Sequence, residues 1–127
     1  MTPLANGKLI KEEFSADKTL KTTHWELKEA PCPTYLICVA VGHLVEVEDE
    51  TVDNIPIKYY APKNTPADWL KRSFDKTPAM MKWIQKKLDY PFPWPKYFQI
   101  ASPSIGGAME NISLVLEHYI FSRLVTF

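Results

Sequence analysis

The sequence predicts an α+β protein with a β-rich first half, one long helix from about Pro66 to Leu88, and a small sheet after it. Three observations lead there. Short alternating or apolar segments, separated by turn residues, run to about Lys63. Leu70, Phe74, Thr77, Met81, Ile84 and Leu88 then recur at alternating steps of four and three, the stripe of one helix face. Tyr97–Ala101 and Ile112–Leu116 follow as two further apolar segments of strand character.

Taken in order, Asn6-Gly7 is a hairpin signal. Leu9, Ile10 and Phe14 lead to a second turn at Ser15-Ala16-Asp17-Lys18. Thr19 to Leu27 returns as a strand, with Leu20, Thr22, His24 and Glu26 on one face and Lys21, Thr23, Trp25 and Leu27 on the other. Pro31-Cys32-Pro33 interrupts the chain, and the apolar run Tyr35 to Val41 reads as a strand buried on both faces. After a bend at Gly42, alternation resumes from Leu44 to Val47. Glu46, Glu48, Asp49, Glu50 and Asp53 read as a solvated acidic turn, with no histidine to make them a ligand cluster. Ile55 to Tyr60 is a further strand, and Pro56 places it at an edge or near its own start.

Thr65 suits a helix N-cap, Pro66 the first helical position and Asp68 the first turn. Pro78 falls inside the helical stripe, where it lacks an N–H and crowds the preceding turn. Because the apolar phase continues across it, one bent helix is expected, with a break at Thr77-Pro78 as the alternative. Lys82, Lys86 and Lys87 form a solvated face that complements the helix dipole. Tyr90-Pro91-Phe92-Pro93-Trp94-Pro95 reads as a stiff, packed aromatic connector; recognition by a proline-binding module is the alternative. Ser102 to Ile105 turns the chain before the glycines.

Composition narrows the function. The chain has 127 residues, 15 basic and 15 acidic, so its formal net charge is +0, which argues against a general nucleic-acid binder. No apolar run approaches the roughly 20 residues of a membrane span. Met1 to Gly7 does not read as a signal peptide, and the cytoplasm is favoured. Two cysteines, Cys32 and Cys38, make no disulfide framework. The patterns G-x-S-x-G, G-x-G-x-x-G, the P-loop and H-E-x-x-H are all absent. His24, His43 and His118 are scattered, so no metal is expected on this chain.

The informative segment is Gly106-Gly107-Ala108-Met109-Glu110-Asn111. On the residues alone it reads as a glycine bulge followed by a solvated glutamate. The alternative is a small-residue strand edge that pairs with an extended peptide while Glu110 holds a cation.

Gly107-Ala108-Met109-Glu110-Asn111 matches the G-A-M-E-N motif of the zinc aminopeptidases of the aminopeptidase N type, a gluzincin family. The rest of the chain resembles the same family in the same order. Asn6-Gly7 resembles its S-N-G turn, and Pro33 to Ile37 followed by Val41-Gly42 resembles its P-S-Y-L…V-G strand. Thr77-Pro78, then Asp89 to Pro93 and Lys96, resemble its T-P…Y-P-x-P-K segment. The resemblance implies that residues 1–63 end an N-terminal β-domain and residues 64–127 open a thermolysin-like peptidase domain. It also implies that Glu110 binds the free α-amino group of a peptide substrate. Gly106, Gly107, Ala108 and Met109 would engage the peptide backbone, with Asn111 completing the substrate-binding segment.

The family's H-E-x-x-H, its third glutamate ligand and its tyrosine are absent from this sequence, so zinc is expected in the full-length enzyme and not on this chain. The expectation is therefore an inactive part of an aminopeptidase, partnered by the remainder of the catalytic domain. The alternative is a non-catalytic peptide-binding or structural fragment. Glu117 to Phe127 fits the family less well and reads as a divergent strand or an effect of truncation. Trp69, Met80, Trp83 and Phe92 are expected at surfaces left without neighbours.

Overall fold

A computed structural model describes residues 1–118; the end of the expected divergent strand, 119–127, lies outside them. Among the described residues, nine strands form three sheets and two α-helices accompany them. β1 (Thr2–Ala5) pairs antiparallel with β4 (Val39–Gly42), and β2 (Lys8–Phe14) with β3 (Lys21–Glu26). The third sheet has five strands: β5 (Leu44–Glu48), β6 (Ile57–Pro62), β7 (Tyr97–Ser102), β9 (Leu114–His118) and β8 (Ala108–Met109), in that spatial order. β6, β7 and β9 run parallel, while β5 and β8 are antiparallel to their neighbours. The β6–β7 step needs a long crossover, which the helices α1 (Ala67–Ser73) and α2 (Thr77–Leu88) provide.

The five-stranded sheet is covered on both faces. Ile57, Tyr59 and Ala61 of β6 meet Leu70 of α1, Met81 of α2 and Phe74 between them. On the reverse face, Tyr60, Phe98, Ile100 and Leu114 pack with Leu4 and Cys38 from the first forty residues. Period-two alternation sends neighbouring residues to opposite cores, so β6 and β7 are apolar almost throughout. The expected domain junction at residue 63 falls between β6 and β7, which pair directly.

Several expectations are corrected. Asn6-Gly7 closes no hairpin, because β1 and β2 pair with different partners and the dipeptide passes the chain between two sheets. The run Tyr35 to Val41 is not doubly buried: a turn of 3-10 helix at Thr34–Leu36 precedes β4, and only Cys38 within the run is buried. Asp49 is no solvated turn residue. Its side chain is only 7% exposed, is ion-paired with Lys71 and accepts the Tyr59 hydroxyl at 2.5 Å.

The long helix α2 is present, but the single bent helix over 66–88 is not; the chain breaks at residues 74–76. Pro78 explains the position, since it has no N–H to give to the Phe74 carbonyl. That carbonyl is taken instead by the Thr77 N–H at 2.9 Å and the Tyr59 hydroxyl at 3.0 Å. α1 starts one residue later than expected, after an extended Pro66. Leu70, Phe74, Thr77 and Met81 of the apolar stripe are buried, whereas Ile84 and Leu88 are exposed. Trp83 and Met80 are exposed as expected, but Trp69 and Phe92 pack against the core. The aromatic connector is packed: Phe92 meets Trp94 edge-on at 5.2 Å and Tyr97 at 5.7 Å. The last strand begins at Leu114, because Ile112 and Ser113 form a turn. No helix among the described residues is long and apolar enough to cross a membrane.

Candidate functional site

β7 ends at Ser102, and the loop after it delivers Gly106 and Gly107 to the start of β8. β8 is an outer strand of its sheet, at the opposite end from β5. Ala108 pairs with Glu117 and Met109 with Leu116 of β9, and the His118 N–H donates to the Gly107 carbonyl at 2.7 Å. Its far side carries no further strand among the described residues. An unpaired edge of this kind offers N–H and C=O groups to another extended chain.

The glycines are not demanded by packing within the described residues. A Cβ on Gly106 or Gly107 would meet nothing within 4 Å. Ala108 and Glu110 are exposed and Met109 half-buried. Small residues thus leave the edge accessible, and Glu110 projects a carboxylate at its end. Asn111 is placed differently: it is 4% exposed, and its Oδ1 has no hydrogen-bond partner among the described residues. The six expected residues therefore form one contiguous rim, with Asn111 turned into its root.

Among the described residues, no three His, Cys, Asp or Glu side chains gather to hold a metal ion. Cys32 and Cys38 are free thiols.

No family model matches the chain. It is 32% identical over 113 residues to glutamyl aminopeptidase of Mus musculus, a match covering 88% of this chain and 12% of that protein. It is 31% identical over 115 residues to aminopeptidase N of Streptomyces lividans, covering 84% of this chain and 13% of that one. By sequence, the chain belongs to the aminopeptidase N-type family. Aminopeptidase M1 of Arabidopsis thaliana is similar to it at 31% identity over 117 residues, 91% of this chain. The chain spans only 12% to 13% of the length of these aminopeptidase relatives.

In this aminopeptidase N-type chain a cleft of about 440 Å³ lies between α2, the aromatic connector and the sheet, and reaches Glu117, the β9 residue that pairs with Ala108. Its floor carries a polar relay that the sequence reading missed. Thr77 Oγ1 donates to Gln99 Oε1 at 3.0 Å, and Gln99 Nε2 donates to Glu117 Oε1 at 2.7 Å. Burial pushes the Glu117 carboxyl up, against the opposing pull of the Gln99 hydrogen bond. The available signal was alternation: Tyr97, Gln99 and Ala101 share one face of β7, which aims Gln99 at the helices.

Lys96 belongs to the segment that resembles the family pattern, and its setting comes from residues distant in sequence. It is 4% exposed, donates to the Ala5 carbonyl, and sits 4.1 Å from the Trp25 ring centre and 4.8 Å from that of Phe98. Burial pushes its ammonium down to about 7, while Cys38 pulls the other way.

Proposed function

We propose that this chain forms the edge with which an aminopeptidase N-type enzyme recognises the free amino terminus of a peptide. The observation that carries the reading is the position of β8: an outermost strand with open space at Gly106 and Gly107 and an exposed carboxylate, Glu110, at its end. A peptide adding to this edge uses main-chain hydrogen bonds for affinity. Glu110 then takes the terminal ammonium, a charge that an internal or blocked amide lacks. In this reading Gly106, Gly107, Ala108 and Met109 line the peptide backbone, and Asn111 anchors the rim.

Zinc, which the family implies for its full-length enzymes, finds no ligand set among the described residues. The role proposed for this chain rests on β8 and Glu110 and is recognition of the amino terminus, with the remainder of the catalytic domain as its partner. The chain would contain the end of a β-domain and the opening of a thermolysin-like domain. The pairing of β6 with β7 across residue 63 supports a join between them nearer β5.

The test is binding of a fluorescein-labelled leucyl pentapeptide and its N-acetyl twin, read by anisotropy. A charge-assisted hydrogen bond contributes about 1.5–3 kcal/mol against roughly 1 for a neutral one, so Glu110→Gln should weaken the free peptide on the order of tenfold. Affinity for the acetylated peptide should not change. Equal affinity of the parent chain for both peptides, or no loss in Glu110→Gln, contradicts the reading.

A further inference from the structure

Asn6 is 7% exposed and lies at the opposite end of the sequence from Glu110. Its amide has one acceptor and two donors, and all its partners are backbone groups. Oδ1 accepts the Cys38 N–H at 2.5 Å, and Nδ2 donates to the Leu36 carbonyl at 3.2 Å and to the Ile112 carbonyl. Two neighbouring bonds reinforce the junction. The Gly7 N–H donates to Ser113 Oγ at 2.9 Å, and the Ile112 N–H to the Leu36 carbonyl at 3.4 Å.

The requirements on this junction are strict. Gly7 has φ +74, and a Cβ there would lie 2.1 Å from the Glu26 carbonyl oxygen. Ser113 is held in the left-handed region at φ 60, which a non-glycine residue keeps only when its surroundings enforce it. Ile112 is two residues from Glu110, so its Cα lies at most roughly 7 Å from that of Glu110. The Ile112 carbonyl is thus an anchored backbone group within two residues of Glu110.

Resting on the recognition reading above, we infer that Asn6 is a positioning residue for Glu110, fixing the root of the β8 rim through the Ile112 carbonyl. Asn6 touches no ligand in this arrangement. It joins residues 36–38 to residue 112 where no strand ladder does so, and it holds the carboxylate in register with the edge. Misplacing a reacting or binding group by about 1 Å is enough to cost orders of magnitude in a rate or affinity.

The experiment compares the preference for the free over the N-acetyl leucyl pentapeptide in the full chain and four variants. Asn6→Ala should reduce that preference on the order of tenfold, the size expected from losing a charge-assisted contact. Adding Asn6→Ala to Glu110→Gln should reduce it no further, because both act through one contact. Leu4→Ala empties a buried position two residues from Asn6 without touching these bonds, and it should keep the preference while lowering stability. If Asn6→Ala does not fold, Asn6→Asp takes its place: it keeps an oxygen for the Cys38 N–H, loses the Nδ2 donation to the Leu36 and Ile112 carbonyls, and should still lower the preference. Retained preference in the Asn6 variant that is read overturns the inference while the recognition reading stands, provided Glu110→Gln has lost it. An additive loss in the double variant also overturns it. If Glu110→Gln keeps the preference, the recognition reading fails and the inference falls with it.

Discussion

Strands β4 and β6 have similar apolar content but opposite surroundings. β6 is central, and Ile57, Tyr59, Tyr60 and Ala61 are all buried between the helices and the first forty residues. β4 belongs to a two-stranded sheet, and Val39 and Val41 are 71% and 59% exposed. Burial here depends on neighbours on both faces rather than on composition. β6 has them from residues within the described chain, and β4 has one layer only. Exposed valines at alternate positions are the pattern of a strand whose second face lacks a cover among the described residues.

The largest expected effect separates the two strands directly. Tyr59 is fully buried against Phe74 at a ring distance of 5.0 Å, with its hydroxyl on Asp49 and the Phe74 carbonyl. Tyr59→Ala should cost about 3–5 kcal/mol in urea unfolding, as large aromatic truncations do. A cost below about 1 kcal/mol would show that the helix-side core is not formed as described.

Next in size is a contrast between glycines. Gly7→Ala places a side chain on a backbone oxygen at positive φ and should cost at least about 2 kcal/mol. Gly106→Ala and Gly107→Ala enter open space and should leave the unfolding midpoint within about 0.5 kcal/mol of the parent. Equal costs at Gly7 and Gly107 would break the distinction between a junction that is packed and a rim that is open.

A pH titration sharpens the picture on the reverse face of the sheet. The Lys96 ammonium is pushed down by burial to about 7, while in the unfolded chain a lysine keeps its proton to about 10.4. Between these values the unfolded state binds more protons, so this group makes stability rise with pH from about 7 to about 10. Lys96→Met should flatten that rise in urea midpoints. A parent midpoint that falls over the same window more steeply than that of Lys96→Met would mean the aromatic rings hold the charged form.

The smallest effect belongs to β4. Val41→Thr replaces an exposed side chain and should shift stability by no more than about 0.5 kcal/mol. A loss above about 1 kcal/mol would show that β4 is covered in solution.

These contrasts also explain which features could be read from residues. The hairpin of β2 and β3, the alternation of β5 and the stripe Leu70, Phe74, Thr77, Met81 are local patterns, and each appears in the fold. Asn6-Gly7 carries a strong hairpin signal, yet its partners lie at Leu36, Cys38, Ile112 and Ser113, and no local rule reaches that far. Asp49 sits in an acidic run, and only the docking of α1 brings Lys71 to it. The segment Gly106 to Asn111 was legible as a candidate from its motif. Its place on an outer strand was not, because strand order depends on pairing between distant segments.

The central claim is that β8 binds a peptide by strand addition with Glu110 at its amino end. Backbone amide exchange of the full chain, with and without saturating leucyl pentapeptide, tests it most directly. Added protection should be confined to the amides of residues 106–110, with little or none from the N-acetyl peptide. Protection that instead appears along β4, or equally with both peptides, would contradict the account.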